Sequence, residues 1–172
     1  MDFFDALTTR QSIRAYSDQP IEEDKLQRIL QAANRAPSAG NRQAYEIYLV
    51  HSLALRQKLA KAAGDQEFLA QAPFVLVFCT HPARNADRYA QRGEMLYSVQ
   101  DATIACTFAM LAATALGLGS VWVGAFNEEA VRQILDIAAG QRPVAMLPIG
   151  YAAELPLRRA RRTLDDLVHE VG

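Results

Sequence analysis

The chain has little of what builds covalent staples or metal centres. Its two cysteines, Cys79 and Cys106, stand far apart with no CxxC spacing, and its three histidines, His51, His81 and His169, are scattered. A disulfide framework is excluded, no zinc-type ligand set is suggested, and both cysteines read as reduced core residues. Nor is there a surplus of charge: 18 Lys+Arg oppose 19 Asp+Glu, for a formal net charge of -1. That argues against a surface dedicated to nucleic acid. The N-terminus opens with Asp2 and Asp5 instead of a basic region and an apolar run. No signal peptide is expected, and a cytoplasmic location is. Repeats and low-complexity linkers are also missing. What remains is 172 residues with 51% hydrophobic and 22% charged content, which suits one domain, 1–172, with a buried core.

From Ala102 to Asn127 no charged residue occurs at all. A run of that length can cross a membrane. This one is rich in Ala, Thr, Gly and Ser, which drive insertion weakly, and it breaks at Gly117-Leu118-Gly119. It reads as a buried helix, a glycine stop and a core strand, so no membrane partner is expected.

Asp2 caps a short helix carrying Phe3, Phe4 and Leu7. Arg10 to Pro20 reads as loop. A helix from Glu22 to Asn34 places Leu26, Ile29, Leu30 and Ala33 on one face, and Pro37 ends it. Ser38 to Gln43 is a polar loop, and Glu46 to Val50 a strand. Ser52 caps a helix through Ala63, followed by a helical turn from Gln66 to Ala70. Phe74 to Phe78 is an apolar run typical of a strand buried on both faces. His81 to Arg92 is polar and ambiguous. Glu94 to Leu116 is the longest helix, stopped by Gly117. Ser120 to Val123 reads as a strand, Glu128 to Asp136 as a helix, and Val144 to Tyr151 contains a last strand. A tail from Glu154 carries arginines and an amphipathic piece, Leu164 to Val168. The class is α+β, with helices enclosing a central mixed sheet of about four to five strands.

Chemistry has few places to reside. No catalytic triad or paired carboxylate stands out. A dinucleotide fingerprint fails at Gly117-Leu118-Gly119, because its third glycine would fall where Trp122 stands and the preceding element is a helix. Arg10-Gln11-Ser12-Ile13-Arg14 sets two arginines around a serine just after a helix, a set able to hold a phosphate. Alone it equally describes two solvated arginines. Arg158-Arg159-Ala160-Arg161-Arg162 is alone an exposed charge run, but two basic clusters at opposite ends of a near-neutral chain can converge on one anion. Ala36-Pro37-Ser38-Ala39-Gly40-Asn41-Arg42-Gln43 joins small residues, which admit a flat ligand close to the backbone, to amides that pair with a ring edge.

Taken in order, these segments resemble the nitroreductase family over nearly the whole chain. The resemblance also rests on Ala72-Pro73-Phe74-Val75-Leu76-Val77, Gln100-Asp101-Ala102, Trp122-Val123-Gly124-Ala125-Phe126, Ile149-Gly150-Tyr151 and Arg161-Arg162-Thr163-Leu164. It implies a homodimer with two FMN molecules at the subunit interface and a C-terminal tail, 152–172, that wraps the partner. Arg10, Ser12, Arg159 and Arg161 would hold the phosphate, with Gln11 beside them and Arg14 near the pyrimidine edge. Pro37, Ser38 and Asn41 would come from the other subunit. Gly124 and Ala125 would offer backbone N–H groups near flavin N5, and Gln66, with Asp65, would reach the pyrimidine ring. The implied activity is ping-pong hydride transfer from NADH or NADPH to a nitroaromatic, a quinone or a similar small-molecule acceptor. The same fold with another reaction (ene reduction, dehydrogenation, dehalogenation) and a non-enzymatic arginine-rich module are the alternatives. Two departures stand out: Ala44-Tyr45 replaces the Pro-Trp common in the family, and the 80–93 segment is short, which implies a more open flavin.

Overall fold

The computed structural model describes all residues, 1–172. Its core is set by β2 (Phe74–Thr80), every residue of which is buried. Because strand side chains alternate, Phe74, Leu76 and Phe78 face one layer while Val75, Val77 and Cys79 face the other. Both faces are apolar, so both must be covered. β2 pairs antiparallel with β1 (Tyr45–Val50) on one side and with β4 (Pro143–Gly150) on the other. A fourth strand, β3 (Gly119–Ser120), completes the order β1-β2-β4-β3. All four strands pair antiparallel, and the mixed character expected of the sheet shrinks to one parallel bridge, Ser12 to Ser120.

β3 is shorter than the strand expected from Ser120 to Val123. Val123 still pairs with Met146 in the register that joins Ser120 to Ile149. The ladder lapses between them, opposite Pro148, which has no N–H to give.

On one face lie α2 (Glu23–Asn34) and α6 (Ser98–Ala115). The helical spacing of Leu26, Ile29 and Ala33 turns those side chains into the same cluster as Ala105, Cys106, Ala109 and Ala113. The other face is covered by α3 (Leu53–Ala62), α4 (Phe68–Gln71) and α7 (Glu128–Leu135), with Leu59, Leu69 and Val131 fully buried. The caps are local: Asp2 accepts from Asp5 N to start α1 (Phe3–Thr9), and Asn127 accepts from Ala130 N to start α7.

The ambiguous polar segment is a helix, α5 (Ala83–Arg92), kinked at Ala90 (φ 44°) and joined through a π-helical turn, Gly93–Tyr97, to α6. The longest helix therefore begins at Ser98 and not at Glu94. The helical chain from Ala83 to Ala115 runs 33 residues and is long and apolar enough to cross a membrane by length and composition. Its α6 part is occupied instead as the core helix between α2 and the sheet. The tail carries one short helix, α8 (Leu164–Leu167), capped by Thr163.

Candidate functional site

The two chain ends meet because the segment after α1 lies along the sheet edge. Ile13 N donates to Ser120 O at 3.0 Å, and Ser17 N donates to Tyr151 O at 2.9 Å. Ala153 N donates to Ala15 O at 2.9 Å, which starts the tail alongside the same segment. Gly119 permits this closeness, since a Cβ there would meet Ile13 side-chain atoms at 2.8–2.9 Å. Tyr16 is pinned beneath, donating its hydroxyl to Ile13 O at 2.7 Å and Pro148 O at 3.2 Å. Burial, then the nearby Glu154 charge, raises its pKa and keeps it a donor.

The result is a cleft of about 490 Å³ lined by Arg10, Gln11, Ser12, Arg14, Arg159 and Arg161, together with Pro156 and Leu157. None of its four guanidinium groups forms an ion pair, whereas Arg142 and Arg162 pair with Glu128 and Asp166. The Glu154 carboxylate accepts from the backbone N–H of Arg14. Gln11 Oε1 and Ser120 Oγ, on adjoining segments, are buried without a hydrogen-bond partner. A group of unpaired arginines, a free hydroxyl and unpaired polar atoms suits a phosphate.

Gln66 and Ala125 are joined directly. Gln66 Nε2 donates to Ala125 O at 3.2 Å and to Ala63 O at 2.7 Å. Gly124 and Ala125 are exposed, and their backbone N–H groups donate to no protein acceptor.

Pro37 and Ser38 lie elsewhere. With Ala39, Tyr97, Asp101 and Ile104 they line a cleft of about 530 Å³ at the start of α6. Asn41 lines a small polar cleft with Arg42 and Arg84. The loop that carries them is strained: Gly40, Asn41 and Gln43 all have positive φ (54°, 56° and 49°). Asp101 holds it in that shape. Its carboxylate is 2% exposed and accepts from Ala39 N at 2.9 Å, Ala44 N at 3.2 Å and Asn85 Nδ2 at 3.4 Å. Asp101 was not among the expected site residues. The available signal was its place as the last charge before a charge-free helix, where a carboxylate is buried only if its acceptor positions are used.

Within one chain the two clefts cannot share a small ligand. Asp101 lines one, and Thr114, near the far end of α6, borders Arg10 and Gln11. At 1.5 Å per residue those positions are about 20 Å apart.

The α+β layers set an arginine-lined cleft at a sheet edge, an arrangement that suits a phosphorylated small molecule. The chain belongs to the nitroreductase family, whose model matches residues 7–67 and 60–151. It is 31% identical to an FMN reductase (NAD(P)H) of Bacillus subtilis over 178 residues, covering 96% of this chain and 72% of that protein. It is 31% identical to an oxygen-insensitive NADPH nitroreductase of Salmonella typhimurium over 171 residues, covering 95% and 71%. Among solved structures, the NADPH:FMN oxidoreductase of Vibrio harveyi complexed with NAD+ superposes with a TM-score of 0.90 at 26% identity, over 98% of this chain and 76% of that one.

Proposed function

We propose that this chain is an FMN-dependent oxidoreductase that uses NADH or NADPH and reduces a nitroaromatic, quinone or similar small acceptor, working as a homodimer. One observation carries the reading: arginines from both ends of the chain line a single cleft with no carboxylate paired to them. The donor set fits FMN. Arg10, Arg159, Arg161 and the Ser12 hydroxyl suit its phosphate, and the unpaired Gln11 Oε1 suits a polar group beside it. Arg14 adds a positive charge of the kind that favours a reduced, anionic ring system. The free N–H groups of Gly124 and Ala125 and the amide of Gln66 supply donors for a ring edge.

When bound, FMN would supply the redox chemistry, linking oxidation of the reduced nicotinamide to reduction of the acceptor. The protein's part is binding and orientation, which explains the lack of a catalytic acid or base. Pro37, Ser38 and Asn41 serve the neighbouring subunit's cofactor, because the length of α6 keeps them from the basic cleft of their own chain. The tail, 152–172, supports the dimer reading. Leu155 is 99% and Leu157 91% exposed in the isolated chain, an exposure that burial against a partner would relieve. The whole of 1–172 then acts as one FMN-binding domain that is complete only as a pair.

The test is direct. Protein purified without added cofactor is expected to be yellow. Anaerobic NADH or NADPH should bleach it, and a nitroaromatic or quinone should restore the colour. A colourless protein that FMN does not reconstitute would refute the assignment.

A further inference from the structure

A second group of guanidiniums gathers away from the basic cleft, around residues 40–42. Arg42 Nε donates to Arg84 O at 2.6 Å and Arg84 Nε donates to Arg42 O at 3.0 Å. This reciprocal pair fixes both side chains while leaving the terminal Nη atoms of Arg84 without a partner. Arg88, one turn further along α5, lies 5.4 Å over the Tyr89 ring and against the loop. A Cβ on Gly40 would meet Arg88 Nη1 at 2.8 Å, and the φ of +54° there already disfavours one. Arg42 pairs with Asp87, but Arg84 and Arg88 have no carboxylate within ion-pair distance. Glu46, which borders the neighbouring cleft with Arg84, lies 3.8 Å from His81. The cleft itself, about 270 Å³, is lined by Asn41, Arg42 and Arg84 and by no hydrophobic residue.

Three arginines against one paired carboxylate leave a local positive excess. Such a cleft suits a dianionic phosphate monoester, which takes up guanidinium forks better than a neutral hydroxyl does. Resting on the function proposed above, Asn41 belongs both to this cleft and to the loop beside the partner's cofactor. A ligand that stacks its reactive ring at that cofactor and extends past Asn41 therefore brings its distal end here. A small acceptor does not reach so far, whereas a reducing dinucleotide does. NADPH differs from NADH by one phosphate monoester, on the adenosine ribose.

We propose that Arg84 and Arg88 bind the 2′-phosphate of NADPH and make this chain selective for NADPH over NADH. Two unpaired guanidiniums, each contributing about tenfold through a charge-assisted hydrogen bond, set the scale of the preference.

The experiment uses the FMN-loaded protein, its Arg84→Gln and Arg88→Gln variants and the double variant. Adenosine 2′,5′-bisphosphate and 5′-AMP are titrated calorimetrically, and kcat/KM is measured for NADPH and NADH with one uncharged acceptor. The wild type is expected to bind the bisphosphate at least about tenfold tighter than AMP. Each variant should lose about tenfold for the bisphosphate and for NADPH, with AMP and NADH changed less than about twofold. Two results would overturn the proposal: no preference in the wild type, or an equal loss for NADH and NADPH. All residues of the cleft belong to one chain, so the bisphosphate titration reads the site even in flavin-free protein. Loss of colour therefore counts against the flavin assignment, and loss of 2′-phosphate discrimination against this one.

Discussion

Replacing Asp101 by alanine tests what holds the loop between Pro37 and Ala44. The side chain is 2% exposed and accepts hydrogen bonds from Ala39 N, Ala44 N and Asn85 Nδ2 at 2.9, 3.2 and 3.4 Å. Alanine leaves those three donors without their partner. A buried donor left unpaired costs about 1–3 kcal/mol. Ala39 is half-buried, so water can replace part of its bond, and the Asn85 contact is long and weak. Ala44 is 0% exposed and takes the full penalty. The sum is about 3 kcal/mol. For a domain of this size each kcal/mol moves Tm by about 2–4 °C, so the expected fall is about 6–12 °C. Asp101→Asn keeps one acceptor oxygen but turns an NH2 group toward a donor, and it should melt between the two. Thermal melts followed by circular dichroism, with and without FMN, give the readout. Relaxation of a loop holding three positive-φ residues should also weaken FMN binding. A variant that melts within about 2 °C of the wild type and binds FMN unchanged would show that Asp101 does not hold this loop.

Truncation after Glu154 is expected to lose dimer and FMN together, read by light scattering and visible absorbance; a flavin-loaded truncated dimer would count against the wrapping tail. Cys79 and Cys106 are both 0% exposed, and burial pushes the Cys79 thiol up to about 12 and that of Cys106 higher still. Neither should react with a disulfide reagent in the folded protein and both should react on unfolding; rapid labelling of the native state would contradict this. Hydrogen bonds from Arg142 hold the Glu128 carboxyl below its ordinary value. Its stabilising contribution is thus present above the unfolded pKa and is lost as pH falls through the lowered one. The pair is exposed, so Glu128→Gln should remove only about 0.2–1 kcal/mol of that acid-limb stability, measured by denaturant melts at stepped pH. Identical pH profiles would refute the coupling.

The sequence was most legible where the core dictates it. The apolar run of β2, the face of α2 and the stop at Gly117 follow local patterning that the packing then uses. β3 was over-read because its interruption comes from Pro148, a residue remote in sequence. α5 was not assigned because it packs little apolar surface; its contacts with the loop run through arginine side chains and backbone carbonyls. The arginines were visible as charge, but their meeting depends on the pairings of Ser17 with Tyr151 and Ala153 with Ala15, which no local pattern encodes. For Asp101 the sequence shows only a lone charge ahead of a charge-free run; its role depends on the loop donors Ala39 N and Ala44 N, which are remote in sequence.

The central claim is that guanidiniums from the two chain ends share one phosphate. The measurement closest to it is the affinity of the apoprotein for FMN and for riboflavin, in the wild type, Arg10→Ala and Arg159→Ala. The wild type should favour FMN by at least about a hundredfold, and each variant should lose about tenfold or more of that advantage with riboflavin binding unchanged. Equal affinities for the two flavins, or an Arg159→Ala variant that keeps the full FMN advantage, would contradict it.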